Sequence, residues 1–165
     1  MLGADDLEYI TSWKEGIQDL GESEMGFFDR FKILYPVNNR LYNIASKELL
    51  AQGKISKTGG DKIRATKNCI LFLGPDNLMK VLADHHNVKD VESICLVIEN
   101  HIFNIVLKES GEPDRDKDLE LLKNLRSGDN NIRTLALLTI IYHVRCNLFH
   151  GDKVYSAARL YYLNR

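Results

Sequence analysis

A chain of 165 residues has the size of one ordinary domain, and its 44% apolar and 27% charged residues exclude a disordered chain. The formal net charge of −1 excludes a strong overall attraction to nucleic acid or to an anionic membrane. The charge is uneven, because residues 1–25 carry seven acids and one base whereas residues 132–165 carry five bases and one acid. The basic end either attracts a phosphate backbone or reflects ordinary surface variation.

The cellular setting is predicted from what the sequence lacks. Its three cysteines lie in apolar helical stretches without a CxxC pair, which favours reduced, buried thiols. The N-terminus has no basic region followed by an apolar run, and no apolar run reaches membrane-spanning length, so we expect a cytoplasmic protein with no membrane contact. His85 and His86 have no further ligands at suitable spacing apart from Asp84, so we expect no metal site and no cofactor.

In the N-terminal part of the chain, apolar residues recur at spacings of three and four, which predicts helices rather than strands. Residues 5–19 form a short amphipathic segment. Residues 24–51 form a long helix, with a kink or break expected at Pro36. Residues 53–60 form a loop that lacks the spacing of a phosphate-binding P-loop, and residues 61–73 form the next helix.

The C-terminal part of the chain is also predicted to be helical. The expected helices are, in chain order, residues 75–84, 89–109, 114–126, 130–149 and 155–164. Asp129 is the expected N-cap of the helix over residues 130–149. That helix is apolar on nearly all sides, so we expect it in the middle of a bundle.

Four polar residues gather at the end of this apolar helix: His143, Arg145, Asn147 and His150. A buried Arg or His is costly unless it is paired, so we expect a cleft, a capping network or an interface. On an ideal helix His143, Asn147 and His150 share one face, and Arg145 lies roughly opposite. Arg145 and His150 therefore converge only if the chain leaves the helix near Phe149 or if two copies meet across a symmetry axis.

The segment resembles the R-x4–6-H motif of HEPN domains, because Arg145 is followed by four residues and then His150. The fuller string R-x-N-L-F-H-G-x-K resembles that of defence-associated and plasmid-borne HEPN families. The spacing of Phe28, Phe31, Tyr35 and Tyr42-Asn43 resembles the aromatic-rich first helix of those families.

The resemblance implies an up-and-down, HEPN-like helical bundle over residues 23–165, with residues 1–22 added as an acidic helical extension. It also implies a metal-independent endoribonuclease of a toxin or phage-defence type, in which the 2′-OH of RNA attacks the neighbouring phosphodiester. The composite site would lie at a homodimer interface, and an antitoxin or other protein is a further expected partner.

The resemblance also implies roles for particular residues. His150 would act as general acid and base, because imidazole titrates near working pH. Arg145 would bind the scissile phosphate, and Asn147 would orient His150 or bind the phosphate. Lys153, His143 and Tyr155 are the expected substrate-binding residues. His143 is otherwise a core or interface histidine, and Tyr155 a core or dimer contact.

One residue departs from the family pattern and leaves other functions open. Cys146 stands where a polar residue, often Asn, usually follows the arginine, and a thiol supplies only weak hydrogen bonds. The alternatives are a catalytically inactive HEPN module that binds RNA, a nucleotide or a protein partner, and a purely structural oligomerisation domain. In a structural role His150 would cap the helix, and Arg145 would pair with Asp152 or Glu99.

Overall fold

The structure, a computed structural model, describes residues 3–18 and 24–149. Within these residues the chain forms seven helices, and its only β-type pairing there is a single antiparallel bridge between Leu107 and Pro113. The predicted all-α class is therefore confirmed. The chain divides into two compact units, Met1–Phe72 and Leu73–Arg165. The predicted boundary after residue 22 stays a prediction.

The first unit contains helices α1 (Ala4–Gln18), α2 (Glu24–Ala51) and all but the last residue of α3 (residues 61–73). Helix α1 packs on α2. Arg40 of α2 holds the two helices together, because its Nε donates a hydrogen bond of 2.7 Å to Oδ1 of Asp6 and its guanidinium lies 4.5 Å from the ring centre of Tyr9. This arginine lowers the pKa of the Asp6 carboxyl.

Helix α2 continues through Pro36 to Ala51, so the break that we considered there does not occur. The residues on either side of the proline, Tyr35 and Val37, are both buried. Packing of these neighbours stabilises the helix against the hydrogen bond that proline removes.

The end of α2 follows the sequence prediction. Gly53 adopts a left-handed conformation with φ of 67°. The N–H of Lys54 donates to the carbonyl of Leu49, and the N–H of Gly53 donates to the carbonyl of Leu50. This pair of bonds is the Schellman motif, in which glycine avoids the steric strain of the left-handed conformation.

Helix α3 contains a π-helical stretch, Arg64–Asn68, between the α-helical segments Asp61–Ile63 and Cys69–Leu73. The buried amide of Asn68 joins three parts of the unit. Its Nδ2 donates hydrogen bonds of 3.0 Å to Oγ of Ser46 and 2.9 Å to the carbonyl of Thr58. The loop after α2 is therefore attached to both α2 and α3.

The second unit contains α4 (Pro75–Asp84), α5 (Val88–Glu99), α6 (Arg115–Leu125) and α7 (Asn130–Phe149). The apolar helix α7 packs on both α4 and α6. The buried core of this unit consists of Val91, Cys95, Ile98, Ile105, Val106, Leu122, Leu125, Ala136 and Ile140.

The start of α7 is capped as the sequence predicts. Oδ1 of Asp129 accepts hydrogen bonds from the N–H groups of Asn131, at 2.7 Å, and Ile132, at 3.2 Å. These bonds satisfy two of the donors that a helix leaves open at its N-terminus.

The predicted helix over residues 89–109 was wrong in its second half, because α5 ends at Glu99. His101 takes a left-handed conformation with φ of 57°. The N–H of His101 donates to the carbonyl of Ile98, and the N–H of Ile102 donates to that of Val97. This is a Schellman ending with histidine in the place that glycine usually takes, a substitution that periodicity alone does not reveal.

Candidate functional site

The predicted site residues divide between described and undescribed parts of the chain. Arg145 and Asn147, with His143, lie on the last two turns of α7 and are partly buried. His150, Lys153 and Tyr155 lie outside the described residues. Of the R-x4-H pair, the structure therefore describes Arg145 alone.

Asn147 is fixed by a contact that the sequence does not predict. Its Nδ2 donates a hydrogen bond of 2.8 Å to the main-chain carbonyl of Ile105, which lies in the segment between α5 and α6. Asn147 thus connects the end of α7 to a stretch of chain forty-two residues earlier. A donor that satisfies a buried carbonyl has a structural role whatever else the side chain does.

The same segment is held from its other side by Asp118, a fully buried carboxylate on α6. Its Oδ2 accepts the N–H of Ile105 at 3.2 Å, and its Oδ1 accepts the N–H of Val106 at 2.8 Å. Together with Asn147, Asp118 satisfies both main-chain polar groups of Ile105. The segment can therefore bury apolar side chains although it forms neither helix nor sheet.

Sequence reasoning missed Asp118, although the sequence contains a signal for it. Asp118, Leu122 and Leu125 are spaced i, i+4 and i+7, which places the aspartate on the apolar face of α6. A carboxylate in that position needs buried donors, and these are the two N–H groups after α5.

Arg145 and Asn147 do not share a face of α7. Two residues apart on a helix, they are separated by roughly 200° around the axis. Arg145 is partly buried, and its Nη1 lies 3.8 Å from Sγ of Cys146, a weak contact. Within one chain the arginine therefore lies on the opposite side of α7 from Asn147, as the ideal helix predicts.

His143 lies one turn before Asn147, on the same side of α7. Its ring meets that of Tyr142 edge-on, with 5.9 Å between the ring centres. Such an arrangement packs the imidazole against an aromatic neighbour. This contact fits the interpretation of His143 as a packed histidine and gives no separate support to substrate binding.

Two carboxylates, those of Asp152 and Glu99, are the predicted structural partners of Arg145. Asp152 lies outside the described residues. Both carboxylate oxygens of Glu99 accept from Arg126, at 3.1 Å and 2.9 Å, and this pairing lowers the pKa of Glu99. A bidentate pair of this kind uses one lone pair on each carboxylate oxygen.

The three cysteines differ in their surroundings. Cys69 and Cys95 are buried, and Cys146, next to Arg145, is partly buried. Burial raises the pKa of the Cys69 thiol to about 11 and also raises the pKa of Cys95. Both buried thiols are therefore poor nucleophiles near neutral pH.

The described residues show neither a candidate metal site nor a candidate membrane-spanning helix. They contain no group of three or more His, Cys, Asp or Glu side chains arranged to hold a metal ion. In that part of the chain, no helix combines the length and apolar character needed to cross a membrane.

Comparison of the chain with protein-family models, with curated proteins and with solved structures gives no match. The resemblance to HEPN domains therefore depends on the residues of the chain itself, chiefly on the string from Arg145 to Lys153.

Proposed function

We propose that this chain is a metal-independent endoribonuclease of a toxin or phage-defence type, with its site at the C-terminal end of α7. The observation that carries the proposal is the place of Arg145, partly buried in the last turns of an apolar helix and five residues before His150. A guanidinium in partly desolvated surroundings binds a phosphodiester more strongly than one in bulk water.

The proposed reaction is an internal transesterification. A histidine base removes the proton of the RNA 2′-OH, whose oxygen attacks the adjacent phosphorus. The bond from phosphorus to the 5′-oxygen breaks, and a histidine acid protonates the leaving oxygen. The products are a 2′,3′-cyclic phosphate and a 5′-OH, and Arg145 stabilises the negative charge that develops on the phosphoryl oxygens.

A homodimer supplies both proton-transfer roles in this proposal. Two copies of His150 at one cleft provide one base and one acid, and two copies of Arg145 flank the phosphate. The hydrogen bond between Asn147 and Ile105 favours a positioning role for Asn147, which would hold the end of α7 in place for the residues that follow.

The test is RNA cleavage by the purified full chain in the presence of EDTA. The informative variants are His150→Ala and Arg145→Met, which removes the charge and keeps most of the side-chain length. His85→Ala is the matched control, because His85 is exposed in the turn after α4. We expect His150→Ala, which removes the acid–base group, and Arg145→Met, which removes the charge that stabilises the phosphoryl oxygens, each to lose about 100-fold or more in rate. The control should keep full activity.

Two outcomes would contradict this proposal. Cleavage that survives in both His150→Ala and Arg145→Met would assign the activity to another site or to a contaminant. Cleavage that EDTA abolishes would assign the chemistry to a metal ion.

One observation favours the catalytically inactive alternative, in which the same surface binds RNA, a nucleotide or a protein partner. The Asn147 amide already donates to a main-chain carbonyl, and Cys146 offers only a weak hydrogen bond beside Arg145. Binding of RNA that depends on Arg145, with no cleavage at any pH between about 5 and 9, would establish this alternative; that range spans the titration of histidine.

A further inference from the structure

A group of basic side chains lies in the first unit. Residues 54–67 contain five basic side chains and one acid, a net formal charge of +4 in a chain whose total is −1. All four lysines of this stretch are exposed. They are Lys54, Lys57, Lys62 and Lys67, which we call the lysine patch.

The one acid of this stretch already has other partners. Oδ1 of Asp61 accepts a hydrogen bond of 2.8 Å from the hydroxyl of Tyr42 and lies 3.5 Å from Nη2 of Arg64. Among the described residues, Lys54, Lys57 and Lys67 take part in none of the ion pairs, each of which joins other side chains. The positive charges of these three lysines are therefore directed at the solvent.

The backbone brings two of these lysines together. The carbonyl of Thr58 accepts a hydrogen bond of 2.9 Å from Nδ2 of Asn68. Lys57 directly precedes Thr58 and Lys67 directly precedes Asn68, so this bond attaches the loop that carries Lys57 to the helix that carries Lys67. Asn68 is itself buried and bound to Ser46, so the link is part of the core of the unit.

Two glycines define the shape of the loop. Gly53 ends α2 with a positive φ, directly before Lys54. Gly59 has φ of +76°, and a Cβ at this position would lie 3.0 Å from Cγ2 of Ile63. These glycines allow the loop its turns, and the bond from Asn68 to Thr58 anchors it. An anchored loop loses less conformational entropy when it binds a partner.

The π-helical stretch Arg64–Asn68 adds to this grouping. In a π-helix the hydrogen bonds join residues five apart, whereas in an α-helix they join residues four apart. The angle around the helix axis between residues five apart is therefore smaller in a π-helix. Lys62 lies just before the stretch and Lys67 lies within it. The two lysines therefore point more nearly in one direction than they would on a regular helix.

We infer that the lysine patch binds the phosphate backbone of single-stranded RNA. The lysine ammonium is a compact, strongly hydrated charge on a flexible stem, which suits contacts with phosphates without base recognition. A membrane surface fits the patch less well, because the large apolar side chains between residues 54 and 67 are Ile55 and Ile63 alone, too few for an apolar face that inserts between lipids. The choice of RNA among phosphate polymers rests on the function proposed above.

The test measures binding of fluorescent single-stranded RNA by anisotropy in the His150→Ala chain, between about 50 and 200 mM salt. The patch variant changes all four lysines of the patch to Gln. The control variant changes four other exposed lysines to Gln: Lys80, Lys89, Lys108 and Lys123. Both variants lower the net charge by four and differ only in where the charge is removed.

We expect the patch variant to bind RNA at least tenfold more weakly at the lower salt concentration. Its slope of log K against log salt should shrink by about 3, since each lost phosphate contact on a single strand contributes roughly 0.7. The control variant should stay within a factor of two of the parent chain. The double variant Lys57→Gln/Lys67→Gln should give about half the change in slope. It keeps the test valid if the fourfold variant does not fold.

Equal losses in the patch and control variants would overturn the inference, because net charge alone would then explain binding. Unchanged RNA binding, with loss of binding to phosphatidylserine vesicles, would assign the patch to a membrane instead. The outcome for the ribonuclease proposal is separate: a chain that never cleaves RNA can still bind it through the patch, and a chain without patch binding can still cleave.

Discussion

The side-chain amide of Asn147 and the main-chain carbonyl of Ile105 are joined by a hydrogen bond of 2.8 Å, which ties the end of α7 to the segment after α5. That segment has no helical or sheet partner of its own for these groups, so side chains must supply the hydrogen bonds. The end of α7 at Asn147 is therefore anchored by a segment that belongs to neither a helix nor a sheet.

Asn147→Ala should lower the free energy of unfolding by about 1–2 kcal/mol, because it leaves the Ile105 carbonyl without its donor. Asn147→Asp should cost more, since a carboxylate would face a carbonyl oxygen. Urea denaturation of the parent chain and both variants gives these values. A purely catalytic Asn147 would instead leave the urea midpoint unchanged while cleavage fell.

Asp118→Ala should destabilise the chain by about 3 kcal/mol or more, because two buried N–H groups, those of Ile105 and Val106, lose a charged acceptor. Hydrogen exchange should show the local cause, with faster exchange at these two amides than in α6 itself. Asp116→Ala is the matched control, since Asp116 lies on the exposed side of the same helix. Equal destabilisation by both variants would contradict a specific role for the Asp118 carboxylate.

The pairing of Asp6 with Arg40 should make the stability of the first unit depend on pH. Arg40 holds the pKa of Asp6 below its ordinary value of 3.8. A lowered pKa in the folded state contributes stability that is present above the ordinary value and is lost as the pH falls through the lowered one. The melting temperatures of the parent chain and of Asp6→Asn should therefore differ at neutral pH and converge in acid.

Asp5→Asn is the control for this experiment, because Asp5 is exposed in the same first turn of α1 and its removal changes the helix dipole interaction equally. If the difference in melting temperature between the parent chain and Asp6→Asn stayed constant down to acid pH, the charge of the Asp6 carboxylate would contribute nothing to the stability.

The helices whose ends have strong local signals were predicted closely. Gly53 ends α2, Pro75 starts α4 and Asp129 caps α7, each at the expected place. The prediction of a helix was wrong for the residues after Glu99. They are as apolar as a helix requires, but the N–H groups of Ile105 and Val106 donate to the Asp118 carboxylate instead of to helical carbonyls. Such a tertiary bond leaves no trace in the periodicity of its own segment.

The candidate site was also predictable only in part, because its tertiary hydrogen bonds cannot be read from the sequence. The motif identified Arg145 and Asn147 from their order in the chain, but order does not say which buried group each side chain meets. Asn147 meets Ile105, forty-two residues away. The lysine patch was not predicted, because Lys57 lies in the expected loop and Lys67 in the expected helix, and nothing in the sequence shows that Asn68 binds Thr58 and joins the two segments.

Thiol labelling should distinguish Cys146 from the other two cysteines. The pKa of Cys69, raised to about 11 by burial, leaves only about one thiol in a thousand ionised at pH 8. Burial also raises the pKa of Cys95. We therefore expect one fast-labelling thiol in the native chain, that of the partly buried Cys146, and three after unfolding. The Cys146→Ser variant should lose the fast phase.

Because Cys146 adjoins Arg145, RNA bound at the proposed site should slow this fast phase. Saturating a cleavage-deficient His150→Ala chain with RNA should reduce the labelling rate of Cys146 at least severalfold, and the Arg145→Met variant should lose that protection. The lysine-patch variant, at RNA concentrations that restore saturation, should keep it. A Cys146 that reacts equally fast with and without RNA would remove the end of α7 from the RNA-binding surface, and the ribonuclease proposal with it.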